Sequence, residues 1–126
     1  AAVQAMRREW GVDPADIVGA IGPSIGACCY EVGSELVDAF AASGHPRSLI
    51  DRWFVTAPVP RGDRGRPALR LDLAGANRDQ LVLAGVNQDR IHLVGLCTAT
   101  HLDLLTSYRV EKQQAGRLAA VIRARG

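Results

Sequence analysis

Sulfur, imidazole and carboxylate side chains lie close together at two places in this sequence. Cys28 and Cys29 are adjacent, while Cys97 is followed by His101 and then by Asp103. The second segment offers ligand types that zinc uses, but a single Cys with a single His is weak evidence for a metal site. Adjacent cysteines rarely form a disulfide, because the bridge strains the peptide between them. We therefore expect Cys28 and Cys29 to be small buried apolar side chains, and we assign no metal ligand in this chain.

A loop rich in glycine follows an apolar run over residues 16–21. Its sequence is Gly22-Pro23-Ser24-Ile25-Gly26. Glycine allows the backbone to approach a ligand closely, and proline stiffens a turn. The loop is consistent with a site in which backbone N–H groups face an anion. It is equally consistent with a tight turn whose glycines only allow close packing, since neither a dinucleotide fingerprint nor a phosphate-loop lysine accompanies it.

Arginines are concentrated in two further segments. The first contains Arg61, Arg64, Arg66 and Arg70 among prolines, without the aromatic side chains that stack on nucleic-acid bases, so we predict a solvated loop. In the second, Ser107-Tyr108-Arg109 precedes Gly116-Arg117. Two guanidinium groups near a turn suit a phosphate or a carboxylate. Surface ion pairs explain the second segment equally well.

The elements that must position these residues alternate loosely between helix and strand. A helix that starts at residue 1 should end at Gly11, and Ser34 and Asp72 are predicted to cap two further helices. The second of these helices has Leu73, Ala76, Leu81 and Ala84 on its inner face and ends at Gly85. Strands are predicted over residues 16–21, 53–55, 69–71, 91–96 and 118–122, with a surface loop over 57–67. The pattern predicts an α/β or α+β class.

Length and composition limit the chain to one globular domain. It has 126 residues, 48% of them hydrophobic and 22% charged, with a formal net charge of +2. These values exclude a disordered or fibrous protein, and the charge is too small to indicate an acidic polymer as partner. Three cysteines cannot close a disulfide framework, which favours the cytoplasm. Because the first helix has no N-cap residue, we expect the chain to be cut from a longer protein.

Four segments, taken in order, resemble a known family. They are residues 20–32, which contain the glycine loop and Cys-Cys-Tyr-Glu-Val, residues 71–86, residues 95–98, and Ser107-Tyr108-Arg109 with Gly116-Arg117-x-Ala119. Together they resemble the C-terminal half of the multicopper polyphenol oxidase (laccase-domain) family, the YfiH-like proteins. Members are also described as purine nucleoside phosphorylases and as a peptidoglycan editing factor. In this chain Val110-Glu111 stands where the family has an acidic residue directly after its Ser-Tyr-Arg-Arg.

The resemblance implies a fold and a reaction for the parent protein. The implied fold has mixed β-sheet layers flanked by helices, and residues 1–126 would be the C-terminal portion of one laccase-like domain, incomplete at its N-terminus. The implied reaction converts adenosine or inosine and phosphate into the base and ribose 1-phosphate, with adenosine deamination as a further activity. The alternatives are a copper-dependent polyphenol oxidase, a peptidoglycan editing factor and a non-catalytic binding module.

The resemblance also implies where the chemistry lies. The family's zinc or copper is held by two His and one Cys in segments upstream of the matched half, so no residue here inherits those roles and the isolated chain is expected to be inactive. The residues expected to contact substrate are Gly22, Pro23, Ser24, Gly26 and Arg109. The expected partners are a purine nucleoside and phosphate, with neither nucleic acid nor membrane, and with a homodimer or the N-terminal half as a protein partner.

Overall fold

The computed structural model describes residues 1–58 and 67–123, and its helices and strands alternate along the chain. The arginines at 61, 64 and 66, and most of the predicted loop that contains them, lie outside the described residues. The elements in chain order are α1 (Ala2–Trp10), β1 (Gly19–Ile21), α2 (Glu35–Ala42), α3 (Arg47–Trp53), β2 (Phe54–Ala57), β3 (Ala68–Leu71), α4 (Leu73–Leu83), β4 (Ile91–Leu93) and α5 (Tyr108–Glu111). Short 3₁₀ helices cover Pro14–Asp16, Gln88–Arg90 and Lys112–Gln114. The predicted mixture of helices and strands is confirmed.

Helix ends follow the capping residues in the sequence. Gly11 ends α1 in the left-handed conformation, with φ 64°, and its N–H donates to the Arg7 carbonyl. Asp72 caps α4, because its side chain accepts the Gly75 N–H at 3.0 Å. A Cβ at Gly75 would lie 2.3 Å from Asp72 Oδ2, so a larger residue at position 75 would displace the capping carboxylate. Ser34 does precede α2, but its side chain makes no capping hydrogen bond to the described residues.

Two small sheets organise the described residues. β1 and β4 are parallel, with Gly19 opposite Ile91, and β2 and β3 are antiparallel, with Phe54 opposite Leu71. Parallel strands require a crossover connection. Between β1 and β4 that connection contains α2, α3, the antiparallel pair and α4. The parallel pairing therefore brings segments about 70 residues apart to the same sheet end.

Helix α4 contributes to both hydrophobic clusters. In the first cluster, Ile50 and Trp53 of α3 are each 1% exposed and pack with Ala76 of α4. In the second, Leu81 and Ala84 pack against three buried residues, Val3, Val86 and Ile91. Full burial of side chains of this size contributes about 1.5–3 kcal/mol each. The predicted inner face of α4 is confirmed.

A buried carboxylate links α3 to α4. Asp79 is 7% exposed and accepts a hydrogen bond from Trp53 Nε1 at 2.7 Å and another from the Arg52 guanidinium. Burial alone would raise the pKa of Asp79, but the Trp53 and Arg52 donors outweigh it and hold that pKa below its ordinary range. Asp79 is therefore a charged group that fixes the packing of two helices.

Four sequence predictions of local structure were wrong. α3 was missed, and Trp53, predicted to begin a strand, is the last residue of that helix. Its burial beside Ile50 on one helix face outweighs the β-propensity of the aromatic residue. Residues 118–122 form no strand with any described residue, and Val121 is 96% exposed. Asp16 lies in a 3₁₀ helix, so β1 is half as long as predicted. The strand predicted over residues 91–96 is also half as long, because β4 ends at Leu93.

No helix in the described parts of the chain combines the length and the apolar character needed to cross a bilayer.

Candidate functional site

The glycine loop, residues 22–26, is joined to the segment that follows β4. Ser24 N–H donates to the Leu96 carbonyl at 3.3 Å, and Thr98 N–H donates to the Ser24 carbonyl at 3.0 Å. Ser24 and Cys97 thereby form a parallel bridge beyond the ends of β1 and β4. The loop is thus fixed at the carboxyl ends of two parallel strands, where α/β proteins commonly bind ligands.

A cavity of about 360 Å³ lies beside this loop. It is bounded by the loop, by the segment after β4 and by the first turns of α4. Its lining residues are Ile21, Gly22, Ser24, Gly26, Cys28, Asp72, Ala74, Gly75, Arg78, Leu93, Gly95, Leu96 and Cys97. A volume of this size is at the lower end of the range for small-molecule sites.

Three of the five predicted substrate-binding residues line this cavity. These are Gly22, Ser24 and Gly26, while Pro23 lies between them in the loop. The N–H of Ser24 is already used by Leu96, and the N–H of Gly26 donates to Cys97 Sγ at 3.2 Å. Two of the loop's backbone donors are thus bonded within the protein. Their predicted role toward substrate stays a prediction.

Arg78 is the cationic side chain in the cavity lining, and the sequence analysis missed it. It lies in the second turn of α4, and its Nε is 3.5 Å from Asp79 Oδ1. Its side chain remains 38% exposed, so the guanidinium retains donors for a further anion. The signal in the sequence was its position six residues after the Asp72 cap, within the first two turns of α4.

The three cysteines lie together beside the cavity, which Cys28 and Cys97 line. Cys28 Sγ is 3.3 Å from Cys29 Sγ, and the sulfur atoms of Cys28, Cys29 and Cys97 all lie within 4.8 Å of one another. All three are free thiols; Cys28 is exposed and the other two are half-buried. The prediction that Cys28 and Cys29 are buried apolar side chains was therefore wrong. The loop turns Cys28 toward the cavity rather than into either hydrophobic cluster.

The thiols of Cys97 and Cys28 differ in acidity. Burial raises the pKa of Cys97, but the N–H groups of Gly26 and Ala99 and the Thr100 hydroxyl lower it to about 6. The pKa of Cys28 is raised to about 11, chiefly by its hydrogen bond with Cys29, and also by burial and by Cys97. Cys97 is therefore the group that loses its proton first, and its negative charge helps to keep Cys28 protonated.

The histidines do not complete a ligand set of two His and one Cys in the described residues. His101 Nδ1 is 2.9 Å from the Cys97 carbonyl oxygen and 3.0 Å from Thr100 Oγ1, so its ring contacts the backbone of Cys97 rather than its sulfur. His45 packs against Phe40 and Trp53, and the histidine on β4, at position 92, is exposed. The donor set that the family resemblance implies therefore does not fit these residues. Within residues 1–58 and 67–123, the one group with metal-ligand spacing consists of the three thiols.

Arg109 lies away from the cavity. Its Cζ is 5.1 Å from the centre of the Tyr30 ring, a cation–π distance, and it lines a separate open depression with Glu31 and Glu35. The turn that carries Arg109 is held by Glu111, whose Oε2 accepts the Ser107 N–H at 2.6 Å. The structure therefore does not bring Arg109 together with the glycine loop.

The fold and the cavity define an α/β protein with a candidate small-molecule site at the carboxyl ends of two parallel strands. The family described as multi-copper polyphenol oxidoreductase laccase matches residues 1–125. The chain belongs to this family, as the four sequence segments predicted.

Curated relatives and solved structures agree with this assignment. The purine nucleoside phosphorylase YlmD of Geobacillus stearothermophilus is 36% identical over 111 residues, which are 88% of this chain and 37% of the relative. A purine nucleoside phosphorylase of Bacteroides thetaiotaomicron is 32% identical over 117 residues, 93% of this chain and 40% of the relative. The crystal structure of Bacillus licheniformis YfiH matches with a TM-score of 0.74 at 32% identity, over 90% of this chain and 39% of that one. YlmD from Geobacillus stearothermophilus matches with a TM-score of 0.71 at 32% identity, over 91% and 39%.

The predicted YfiH-like fold is thereby confirmed. The chain spans about two fifths of the length of the curated relatives it matches.

Proposed function

We propose that this chain provides part of the nucleoside and phosphate site of a purine nucleoside phosphorylase. The observation that carries the proposal is the set of four curated relatives, each 30–36% identical over 88–95% of this chain and each named a purine nucleoside phosphorylase. The substrates would be adenosine or inosine with phosphate, and adenosine deamination would be an additional activity. The three free thiols support a reducing, cytoplasmic location.

The cavity beside the glycine loop supports this proposal chemically. In phosphorolysis a phosphate oxygen bonds to C1′ of the ribose as the bond from C1′ to the purine nitrogen breaks, and the departing base takes the electron pair and a proton. The main demand on the protein is to hold the phosphate and neutralise its charge. Arg78 supplies a guanidinium in the cavity, and guanidinium groups bind phosphate through paired N–H donors.

Ser24 and the glycines complete this proposed site. Ser24 lines the same cavity, and its hydroxyl would bond a phosphate or ribose oxygen there, while Gly22 and Gly26 would let the substrate approach the backbone. Arg109, predicted as a second phosphate contact, lies in another depression, so we give Arg78 the larger share of phosphate binding. No step of this proposal involves a metal, because the described residues do not offer the family's two-His, one-Cys ligand set.

A chimera tests the proposal. This chain replaces the matching segment of the Geobacillus stearothermophilus relative, and phosphate-dependent release of hypoxanthine from inosine is measured. We expect activity in the chimera and a phosphate KM raised at least tenfold by Arg78→Met, because a charge-assisted bond contributes about 1.5–3 kcal/mol. Arg8→Met is the matched control, since Arg8 is an exposed residue of α1 paired with Glu9. A chimera that has a native circular dichroism spectrum but no phosphorolysis contradicts the proposal.

The family description favours a second candidate, copper-dependent oxidation of phenols. Copper sites of oxidases need several imidazole ligands. The three histidines of the described residues do not converge, so this activity depends on residues outside this chain. The same chimera, loaded with copper and supplied with a phenolic substrate and oxygen, would show oxidation faster than phosphorolysis if the oxidase were the main activity. The chain assayed alone tests the binding-module alternative, which predicts nucleoside binding without turnover.

A further inference from the structure

The three thiols form a cluster whose position is fixed by the backbone. Cys28 and Cys29 lie in a turn that begins at Gly26, where Cys29 N–H donates to the Gly26 carbonyl at 2.9 Å. Cys97 is held to the same glycine, because Gly26 N–H donates to Cys97 Sγ at 3.2 Å. A Cβ at Gly26 would be 3.2 Å from Cys97 Cβ and 3.4 Å from Cys28 Sγ. A glycine at position 26 thus allows the two cysteine-bearing segments to approach.

The spacing of the sulfur atoms matches that of thiolates around one metal ion. Zinc binds a thiolate sulfur at about 2.3 Å, so two sulfurs of a tetrahedral site are about 3.8 Å apart. Here the sulfur atoms of Cys28 and Cys29 are 3.3 Å apart, and no two of the three sulfur atoms are more than 4.8 Å apart. Shifts of a few tenths of an ångström up to about 1 Å therefore place all three at bonding distance from one ion.

A disulfide is a poorer explanation of the adjacent pair. Cα atoms across a trans peptide are about 3.8 Å apart, whereas disulfides usually join Cα atoms about 4.4–6.8 Å apart. Every peptide bond that the structure describes is trans. Cys28 and Cys29 therefore lie too close for an unstrained bridge, while two neighbouring sulfurs remain able to bind one ion.

The chemistry of the donors selects the kind of ion. Thiolates are soft ligands, which favour zinc and copper(I) over magnesium or calcium. Three protein ligands leave one coordination position for a water or a substrate. Cys28 and Cys97 both line the cavity, which provides room for such a ligand, and Arg78 supplies positive charge to the same space.

We propose that Cys28, Cys29 and Cys97 together bind one thiophilic cation of the zinc or copper(I) type at the cavity beside the glycine loop. Binding forms three sulfur–metal bonds, and each cysteine that is still protonated breaks its S–H bond and releases one proton. No oxidant or reductant is required. None of the three cysteines belongs to the segments to which the family resemblance assigns a metal.

Cadmium titration of the reduced 126-residue chain tests this proposal. Cadmium is the probe because its thiolate complexes absorb in the ultraviolet, and zinc is then added to displace it. We expect the absorption to saturate at one cadmium per chain and to be reversed by excess zinc. Cys28→Ser and Cys97→Ser should each weaken cadmium binding at least 100-fold, since loss of even an indirect supporting contact typically costs about 10–100-fold.

A matched control and a second measurement keep the result unambiguous. His92→Asn alters an exposed side chain on β4 and should change the cadmium affinity less than twofold. In the unaltered chain, mass spectrometry after alkylation should find three modified cysteines without zinc and none with one equivalent of zinc. The proposal is overturned by a signal that does not saturate at one equivalent, by wild-type affinity in Cys28→Ser, or by alkylation that zinc leaves unchanged. A disulfide between Cys28 and Cys97 that persists in reductant also overturns it.

Discussion

Removing the Asp79 carboxylate should destabilise the fold by leaving a buried donor without a partner. Asp79 is 7% exposed, and its Oδ2 accepts the Trp53 Nε1–H at 2.7 Å. In Asp79→Ala the indole N–H of Trp53 stays in the first hydrophobic cluster, where the residue is 1% exposed. A buried donor that loses its acceptor costs about 1–3 kcal/mol. The change therefore acts on the packing of α3 against α4.

The ion pair with Arg52 contributes less to the expected loss. The Arg52 side chain is 57% exposed, so solvent screens its interaction with Asp79, and such pairs contribute about 0–1 kcal/mol. Adding this to the cost of the unpaired indole gives about 1–4 kcal/mol for Asp79→Ala. Asp79→Asn keeps a carbonyl acceptor for Trp53, so it should lose about half as much stability or less.

Urea unfolding at pH 7, followed by circular dichroism, measures the effect. Asp79→Ala is made both in the native chain and in Trp53→Phe, which has no indole donor. If the hydrogen bond carries the effect, the cost of Asp79→Ala should be at least about 1 kcal/mol smaller in the Trp53→Phe background. Equal costs in the two backgrounds, or a loss below about 0.5 kcal/mol in the native chain, would refute the reasoning.

The same carboxylate predicts a dependence of stability on pH. The folded state holds the pKa of Asp79 below its ordinary range, so folding favours the charged form. This stabilisation is fully present above the ordinary aspartate pKa of about 3.9 and is lost as the pH falls through the lower pKa of the folded state. The stability difference between the native chain and Asp79→Asn should therefore shrink as the pH falls below about 4. A difference that stays constant to the acid limit of folding contradicts this assignment.

Three further predictions concern local geometry and the second arginine. Gly11→Ala should lower the free energy of unfolding in urea by about 1–2 kcal/mol, because Gly11 has a φ of 64°. Gly22 lies in open space without a positive φ, so Gly22→Ala should change that free energy by no more than about 0.5 kcal/mol. Glu111→Ala should speed hydrogen exchange of the Ser107 amide about tenfold, because that N–H loses its charged acceptor; an unchanged rate would show that the bond does not protect the turn. Arg109→Met should raise the phosphate KM of the chimera less than Arg78→Met does. The reverse order would show that Arg109, rather than Arg78, is the main phosphate contact.

The sequence predicted most reliably the elements whose ends carry a recognisable capping residue. Gly11 ends α1 and Asp72 begins α4 as expected, and the alternation at Leu69-Arg70-Leu71 lies in β3. α3 lacks such a marker, because Pro46 precedes it without a side-chain acceptor and Trp53 has strand propensity. Its Ile50 and Trp53 are buried in the first hydrophobic cluster, and that burial depends on the rest of the chain.

The site was predictable only in part for a similar reason. The glycine loop was recognisable because its residue types are unusual at the end of a strand. Cys97 lies near Cys28, and Arg78 lies near the loop. Both contacts depend on the parallel pairing of β1 with β4 across about 70 residues. The spacing of residues within one segment cannot predict a contact between two distant segments. Cys28 and Cys29 were therefore predicted to be buried, whereas Cys28 is exposed and both sulfur atoms lie beside that of Cys97.

The most direct test of the central claim is the identity of the sugar product that the chimera forms from inosine. Phosphorus NMR of the reaction in phosphate buffer should show ribose 1-phosphate accumulating in step with hypoxanthine, and Arg78→Met should slow both at limiting phosphate. Hypoxanthine released with free ribose, at a rate independent of phosphate, would contradict the assignment of this cavity to phosphorolysis.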